Sequence, residues 1–446
     1  MTRASKTSVP LLPGADPFFD PPAGFESRPP GTVLRAREIE LAFLGTVRQQ
    51  VSAWQLLYRS SDLDLRPEAA VTTVLLPAWA DPAQARPVLA YQCAIDAIVD
   101  RHFPSYALQR GARSPGCVPQ FELLVIANAL RRGWAVSIAD HEGRGGHFGA
   151  PREPGYRVLD GVRAAMAFEA LGLNHDAPVA FWGYSGGGMA SSWAAEMAAT
   201  YAPELRVVGA VLGAPVGDPG QALLKLNGTW LAGLPAMVVA AIRHLYPDLD
   251  RLLNSHVNPT GLRRLAEIET LGTIAAVRRF RGDDIDHYID VPLADLLANP
   301  EVVTIIDDLR LGMHAPRCPV LVVHPVHDQF VDIADVDGQV QRYLDAGVHV
   351  QYLRDRLSEH ITLMPLSAPL ALEWLTDRII GQPLPPPSTT TVWSTAGSLK
   401  VLRGLLGMAV VAMKVALGRR LTPRSWGVRP AAAAPPARTA AGRRPA

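Results

Sequence analysis

Short apolar runs bounded by Pro and Gly alternate along much of this chain with stretches of helical spacing. Thr72 to Ala78 and Val88 to Tyr91 predict strands, the first rich in Val, Thr and Leu and both bounded by prolines. Phe121 to Leu130 has helical spacing and stops at Arg131-Arg132-Gly133, and Trp134 to Ala139 follows as another buried strand. From Tyr156, Leu159, Val162, Ala165 and Met166 fall on one helical face, with a stop near Gly172. Val179 to Tyr184 is then a strand, Met189 to Ala198 a helix of Ala, Met and Glu, and Val207 to Leu212 a strand. Strand, helix and strand in repeated order predict an α/β fold, a mostly parallel sheet with helices on both faces.

The rhythm breaks over residues 217–313, which hold Leu-rich and Arg-rich helical pieces such as Ala240 to Leu249 and Pro259 to Ile268 but no strand alternation. A helical insertion at this point is a candidate lid over an active site. The sheet resumes with Pro319 to Val323, a helix from Ala334 to Leu344, a strand from His349 to Leu353, a loop carrying His360 and a helix from Leu366 to Ile380. The expected organisation is an extended Pro-rich lead-in over 1–30, a core over 31–216 and 314–381, the lid over 217–313, a Pro-rich linker over 382–398 and a tail over 399–446.

With 446 residues, 48% of them hydrophobic, the chain can bury a large core and is neither fibrous nor collagen-like. The net charge of +1 hides an asymmetry. Ten of the 43 basic residues fall after residue 398, where there is no Asp or Glu, so the body carries 33 basic against 42 acidic residues. That split points the tail toward an anionic surface. Leu399 to Arg420 reads as one helix with Lys400, Arg403, Gly404, Gly407, Val411, Lys414 and Gly418 along a single stripe and apolar residues elsewhere. Its longest charge-free stretch, Gly404 to Met413, is about half of the ~20 residues a spanning helix needs, so an interfacial helix is expected. Nucleic-acid binding is not expected, because only Trp426 interleaves the basic residues. Cys93, Cys117 and Cys318 are too few for a disulfide framework; Cys93 and Cys117 could pair, but three buried thiols is the simpler expectation. No apolar stretch of signal-peptide length is visible at the N-terminus, which suggests a cytoplasmic or peripheral-membrane location.

The chemistry gathers at Gly183-Tyr184-Ser185-Gly186-Gly187, a G-x-S-x-G between a buried strand and a helix. A serine hydroxyl is a poor nucleophile and must be exposed beside a base and near donors for the developing oxyanion. The amide of Gly186, opening a helix, is one such donor. An acid and a histidine should follow in chain order at strand exits. Asp328 and His360 do so: His360 would accept the Ser185 proton, and Asp328 would hold the imidazole. Asp332, Asp335 and Asp337 follow a helix start, where acids more often cap, which leaves Asp332 as the reserve. His324-x-x-His327-Asp328 has some metal-site character but lacks a further ligand cluster, and neither a metal nor a cofactor is expected.

Several runs together resemble one family, the secretory lipases of fungi and actinobacteria: DHEG at 140–143, EPGYRVLDGVRAA at 153–165, GYSGGG at 183–188, YAPEL at 201–205, HDQFV at 327–331 and EH at 359–360. The resemblance covers roughly residues 15–385 and implies an α/β-hydrolase with a helical lid, active on acylglycerols and other carboxylic esters. It also implies that the DHEG loop completes the oxyanion hole, with Asp140 beside Gly186; a strand-end carboxylate capping its turn is the plainer reading of Asp140. The family is commonly secreted and usually ends soon after the last helix, and this chain departs from both habits. The expected function is a serine-dependent lipase or esterase working through an acyl-enzyme on a lipid or small ester. An acyltransferase on the same residues and a non-catalytic lipid-binding protein on the same scaffold are the rival readings.

Overall fold

The structure is a computed structural model and describes residues 9–81 and 84–423. Ten strands form one sheet: β1 (Val33–Glu38), β4 (Val51–Ser61), β5 (Pro67–Pro77), β6 (Val88–Gln92), β7 (Ala135–Ala139), β8 (Val179–Tyr184), β9 (Val207–Gly213), β10 (Val320–Pro325), β11 (Val350–Asp355) and β12 (Ser388–Val392). Two residues each, β2 (Ala42–Phe43) and β3 (Val47–Arg48), make a separate hairpin. The sheet order is β1-β4-β5-β7-β6-β8-β9-β10-β11-β12. Pairing is antiparallel as far as the β5–β7 contact and parallel from β7 to β12.

Burial on both faces explains the continuous apolar runs of the parallel strands. Val88, Ala90, Val179 and Phe181 enter one core, with Leu159 and Trp193, while Leu89, Tyr91, Ala180 and Trp182 enter the other, with Leu123 and Leu372. The first face carries α3 (Glu153–Ala167), α4 (Gly186–Tyr201) and α12 (Ile333–Asp345); the second carries α2 (Val118–Arg131), α13 (His360–Ile379) and α14 (Leu399–Ala416). A four-residue helix, α1 (Pro104–Ala107), lies between β6 and α2.

The antiparallel part of the sheet was not anticipated. β4 and β5 pair over eleven residues each, from Val51↔Pro77 to Ser61↔Pro67, about a turn in which Asp62 accepts from the amides of Asp64 and Arg66. Only the second half of β5 is apolar enough to announce itself. The lead-in lies against this region, with Phe19 buried on Leu57 and Val71 and the Arg37 guanidinium 4.1 Å from the Phe18 ring.

Between β9 and β10 the chain forms seven helices: α5 (Pro219–Leu226), α6 (Gly233–Ile242), α7 (Pro247–His256), α8 (Pro259–Ile268), α9 (Thr273–Arg279), α10 (Leu293–Leu297) and α11 (Pro300–Leu309). They have two small cores of their own, one around Met237, Ile268 and Phe280, the other around Leu249, Leu253 and Leu309. The single helix expected over Ala240 to Leu249 is broken in two, because Pro247 starts α7 and its ring cannot continue α6.

The C-terminal region also differs from expectation. Residues 388–392, read as linker, add β12 to the sheet edge in parallel register with β11. The stripe of α14 expected to face water is in large part the face that packs. Val411 is 1% exposed, a Cβ on Gly404 would lie 2.6 Å from Pro369 of α13, and Gly418 closes on the Arg48 carbonyl. Glycine on that stripe marks close approach of backbones, not polarity. Val401, Val415 and Leu421 are buried with it. The three cysteines are buried and free.

Because Val411 belongs to the main core, Val411→Ala should lower unfolding free energy by on the order of 2 kcal/mol in urea titration. A change within a few tenths would mean that α14 is not part of the cooperative fold.

Candidate active site

The site lies at the C-terminal edge of the parallel strands, where β6 and β8 are neighbours in the crevice left by the change of strand order. Ser185 joins β8 to α4 with φ 55° and ψ −123°, a left-handed conformation rare for a residue with a Cβ. Its amide donates to the Gly213 carbonyl at the end of β9 (2.9 Å), and its own carbonyl accepts from Met189 (2.9 Å). The glycines around it are demanded by contact. A Cβ on Gly187 would collide with the Gln92 carbonyl, and one on Gly186 with the Asp96 carboxyl.

Ser185, His360 and Asp328 are brought together. The His360 Nε2 lies 2.9 Å from Ser185 Oγ, and its Nδ1 lies 2.7 Å from Asp328 Oδ2. Asp328 Oδ1 accepts from the amides of Phe330 (2.7 Å) and Val331 (3.0 Å). Burial alone would raise the Asp328 pKa, but the hydrogen bond and charge of His360, with the backbone donor, hold it below the usual carboxylate value. His360 is the first residue of α13 and not a loop residue, because Glu359 caps that helix through the amides of Ile361 (3.0 Å) and Thr362 (2.8 Å). Its ring stacks on Phe330 at 4.3 Å and 22°, and its carbonyl accepts from Tyr184 Oη at 2.6 Å. Asp332 caps α12 through the Ala334 amide, as the plainer reading of the nearby acids expected.

Asp140 stands elsewhere. Its carboxylate accepts from the Ser105 amide (2.9 Å) and hydroxyl in the first turn of α1, and its amide donates to the Val71 carbonyl. The acid against Gly186 is Asp96, on the loop that leaves β6, with φ 46°. The Asp96 amide is taken by Glu142 Oε1 (3.0 Å) and its carbonyl by Thr273 Oγ1 of α9 (2.8 Å), while its Oδ1 is buried and without a partner. Burial raises its pKa to about 7 despite the opposing pull of His360. The DHEG run therefore reaches the site indirectly, through Glu142 behind Asp96. A sequence signal for Asp96 existed, an acid just past the end of a predicted parallel strand in CAID, but nothing local tied it to Gly186.

The inserted helices touch both halves of the site. Lys225 Nζ of α5 donates to the Asp328 carbonyl (2.8 Å), and the Trp230 ring meets Phe330 edge-on at 6.1 Å. Thr273 holds Asp96 from the other side. His324 lies 3.9 Å from Asp328 Oδ2, and burial lowers its pKa to about 4. Among the described residues no group of three or more His, Cys, Asp or Glu is placed to hold a metal ion.

A mostly parallel sheet with a serine elbow, a histidine and an acid at its C-terminal edge is the architecture of an α/β-hydrolase. The fold matches that of Candida antarctica lipase A with a TM-score of 0.82 at 24% identity, over 93% of this chain and 99% of that one. Residues 108–385 match the secretory lipase family, and the chain belongs to it. Among its relatives, a Mycobacterium tuberculosis protein named as a probable inactive lipase is 51% identical over 93% of each chain. Lipase A of Arthroderma benhamiae is 38% identical over 84% of this chain and 81% of its own.

The buried acids have a consequence for stability. Asp96, Asp140 and Glu196 are raised to about 7 and Glu122 to about 8, each first by burial. An unfolded chain releases these protons near pH 4. Their stabilising contribution is thus complete below pH ~4 and is lost as pH rises through 7 to 8. Glu153, lowered to about 2 by Arg157 and His147 against the effect of burial, is ionised in both states between pH 5 and 8 and does not oppose the trend there. Burial lowers His102, His141 and His324 to about 4, so these imidazoles oppose the trend below pH ~6.5, but the four carboxyls outnumber them and act over the wider interval. The thermal midpoint should be higher at pH 5 than at pH 8; the reverse order would mean that the carboxyls do not outweigh the buried imidazoles.

Proposed function

We propose that this protein hydrolyses carboxylic esters of lipids, acylglycerols among them, through an acyl-enzyme on Ser185. The observation that carries the reading is the unbroken relay from Asp328 Oδ2 through His360 to Ser185 Oγ, with distances of 2.7 and 2.9 Å. In the first half-reaction Ser185 Oγ attacks the ester carbonyl as His360 Nε2 takes its proton, and the imidazolium then protonates the leaving alcohol. In the second, His360 deprotonates a water that attacks the acyl-enzyme, and Ser185 leaves with the proton returned. Asp328, ionised, keeps Nδ1 protonated and supports the imidazolium. A relative named as inactive does not decide the matter, since every group that these steps require is present in this chain.

For the oxyanion we propose the Gly186 amide, which has no intrahelical acceptor in the first turn, and the carboxyl of Asp96 in its protonated form. The Asp96 amide is spent on Glu142, so the side chain is the group left to donate, and a pKa of about 7 keeps it a donor at neutral and acid pH. Ionised, it would repel the oxyanion. As partner we propose lipid presented at an anionic membrane surface, reached through residues 399–446, which fits a peripheral location. No described helix is long and apolar enough to cross a membrane.

Ser185→Ala should remove ester turnover by several orders of magnitude while the circular dichroism spectrum stays native. Folded Ser185→Ala protein with near-normal turnover would exclude the acyl-enzyme. Asp96→Ala should cost about 10²–10³ in kcat. Asp96→Asn, which keeps a donor that does not ionise, should retain more activity than Asp96→Ala and lose the decline in kcat expected of the native protein as pH rises through about 7. Equal loss in both variants, with an unaltered pH profile, would assign Asp96 a structural role only.

A further inference from the structure

α14 has an inner and an outer face, and only the inner one has a partner. Val401, Val411 and Val415 are buried against the body. On the opposite side Leu399, Leu402, Leu406, Val410, Met413 and Leu417 recur at intervals of three and four residues, all exposed, Leu399 to 74% and Leu406 to 70%. Single exposed apolar residues on a surface need no explanation, but six on one stripe about 27 Å long form a continuous apolar ridge. A helix whose inner glycines and valines already satisfy the fold gains nothing from leucine on the outside.

The charges beside the ridge select its occupant. Arg403 and Lys414 follow Leu399 and Val410 by four residues and so share one flank of the ridge; Lys400 lies further along that side, its ammonium 2.7 Å from Glu373 but its side chain 73% exposed. Arg419 and Arg420 are exposed just past the helix end. From residue 399 onward there is no acidic residue, and five more arginines follow Pro423 in the sequence. A second copy of the chain laid ridge to ridge would bring two basic flanks together, opposed only by the Glu373 that already pairs with Lys400. An anionic lipid surface answers both features, with acyl chains for the ridge and phosphates for the flank.

The segment that leads into the ridge touches the loop before His360. Trp393, 70% exposed, leads into α14, and its carbonyl accepts from the Leu357 amide at 3.0 Å. Leu357 and Ile361, which flank His360 in sequence, are 70% and 62% exposed. This whole surface except Leu357 and Ile361 lies beyond the residues that match the lipase family.

We propose that the outer face of α14 docks this protein in the plane of an anionic lipid surface. The proposal deepens the lipid-esterase reading, on which it rests for its purpose but not for its physics, since docking requires no catalysis. The test uses the full chain and the outward double variant Leu406→Glu/Met413→Glu, whose side chains touch no core. Both are sedimented with vesicles of phosphatidylcholine alone or with a third phosphatidylglycerol, and turnover of a dissolved butyrate ester is measured in parallel. The unmodified chain should bind the anionic vesicles at least tenfold more tightly than the neutral ones, and more weakly as salt rises. The double variant should lose at least tenfold in binding to the anionic vesicles with butyrate turnover unchanged. Equal sedimentation of the two proteins, or none of the unmodified chain, overturns the proposal. So does a dimer of the unmodified chain that the double variant dissolves, without vesicle binding. Vesicle binding that behaves as expected in a protein with no butyrate turnover would leave the docking face standing and remove the hydrolase reading instead.

Discussion

The left-handed backbone of Ser185 is the constraint around which this molecule is arranged. A residue with a Cβ pays on the order of 1–3 kcal/mol to sit there, and it stays only because its surroundings leave no alternative. β8 must end against Gly213 to take the Ser185 amide, and α4 must begin close enough to β6 that Gly187 has no room for a side chain. The tight fit of strand, turn and helix lifts the hydroxyl above the sheet edge, where the loops after β10 and β11 can meet it.

Two carboxyl groups lie near the same imidazole and are held in opposite states. Asp328 accepts from His360 and two amides, and these donors overcome the cost of its burial. Asp96 has no donor on Oδ1 and keeps its proton to about pH 7. Environment separates their charge states, which suits one to the anion and the other to the neutral donor of the proposed reaction. Both are braced by the inserted helices, Asp328 through Lys225 and Asp96 through Thr273, so the placement of these helices bears on the geometry of each.

Much of this is legible in the amino-acid sequence. The parallel strands read clearly because burial on both faces makes them continuously apolar, and Ser185, Asp328 and His360 stand at strand exits in chain order. Asp96 did not read, because its meeting with Gly186 exists only once β6 and β8 are side by side. β1 and β4 hid in mixed sequence, since VSAWQLLYRSS alternates too loosely to announce a strand. The start of α13 was obscured by Pro365 and Pro369, which sit inside the helix. The stripe of α14 was misread for a different reason. Glycine counts as weakly polar on a hydropathy plot, yet Gly404 packs on Pro369 and Gly418, just past the helix, on the Arg48 carbonyl.

That last feature changes what counts as one unit of this protein. The family match ends at residue 385, but Val415 and Leu421 lie over Leu123, Ala127 and Leu130 of α2. A fragment cut at the end of the match would keep Ser185, Asp328 and His360 and would open an oily wound on the flank opposite α3 and α4. The smallest piece able to keep its core covered is therefore longer than the piece that identifies it, and its boundary falls after Leu421.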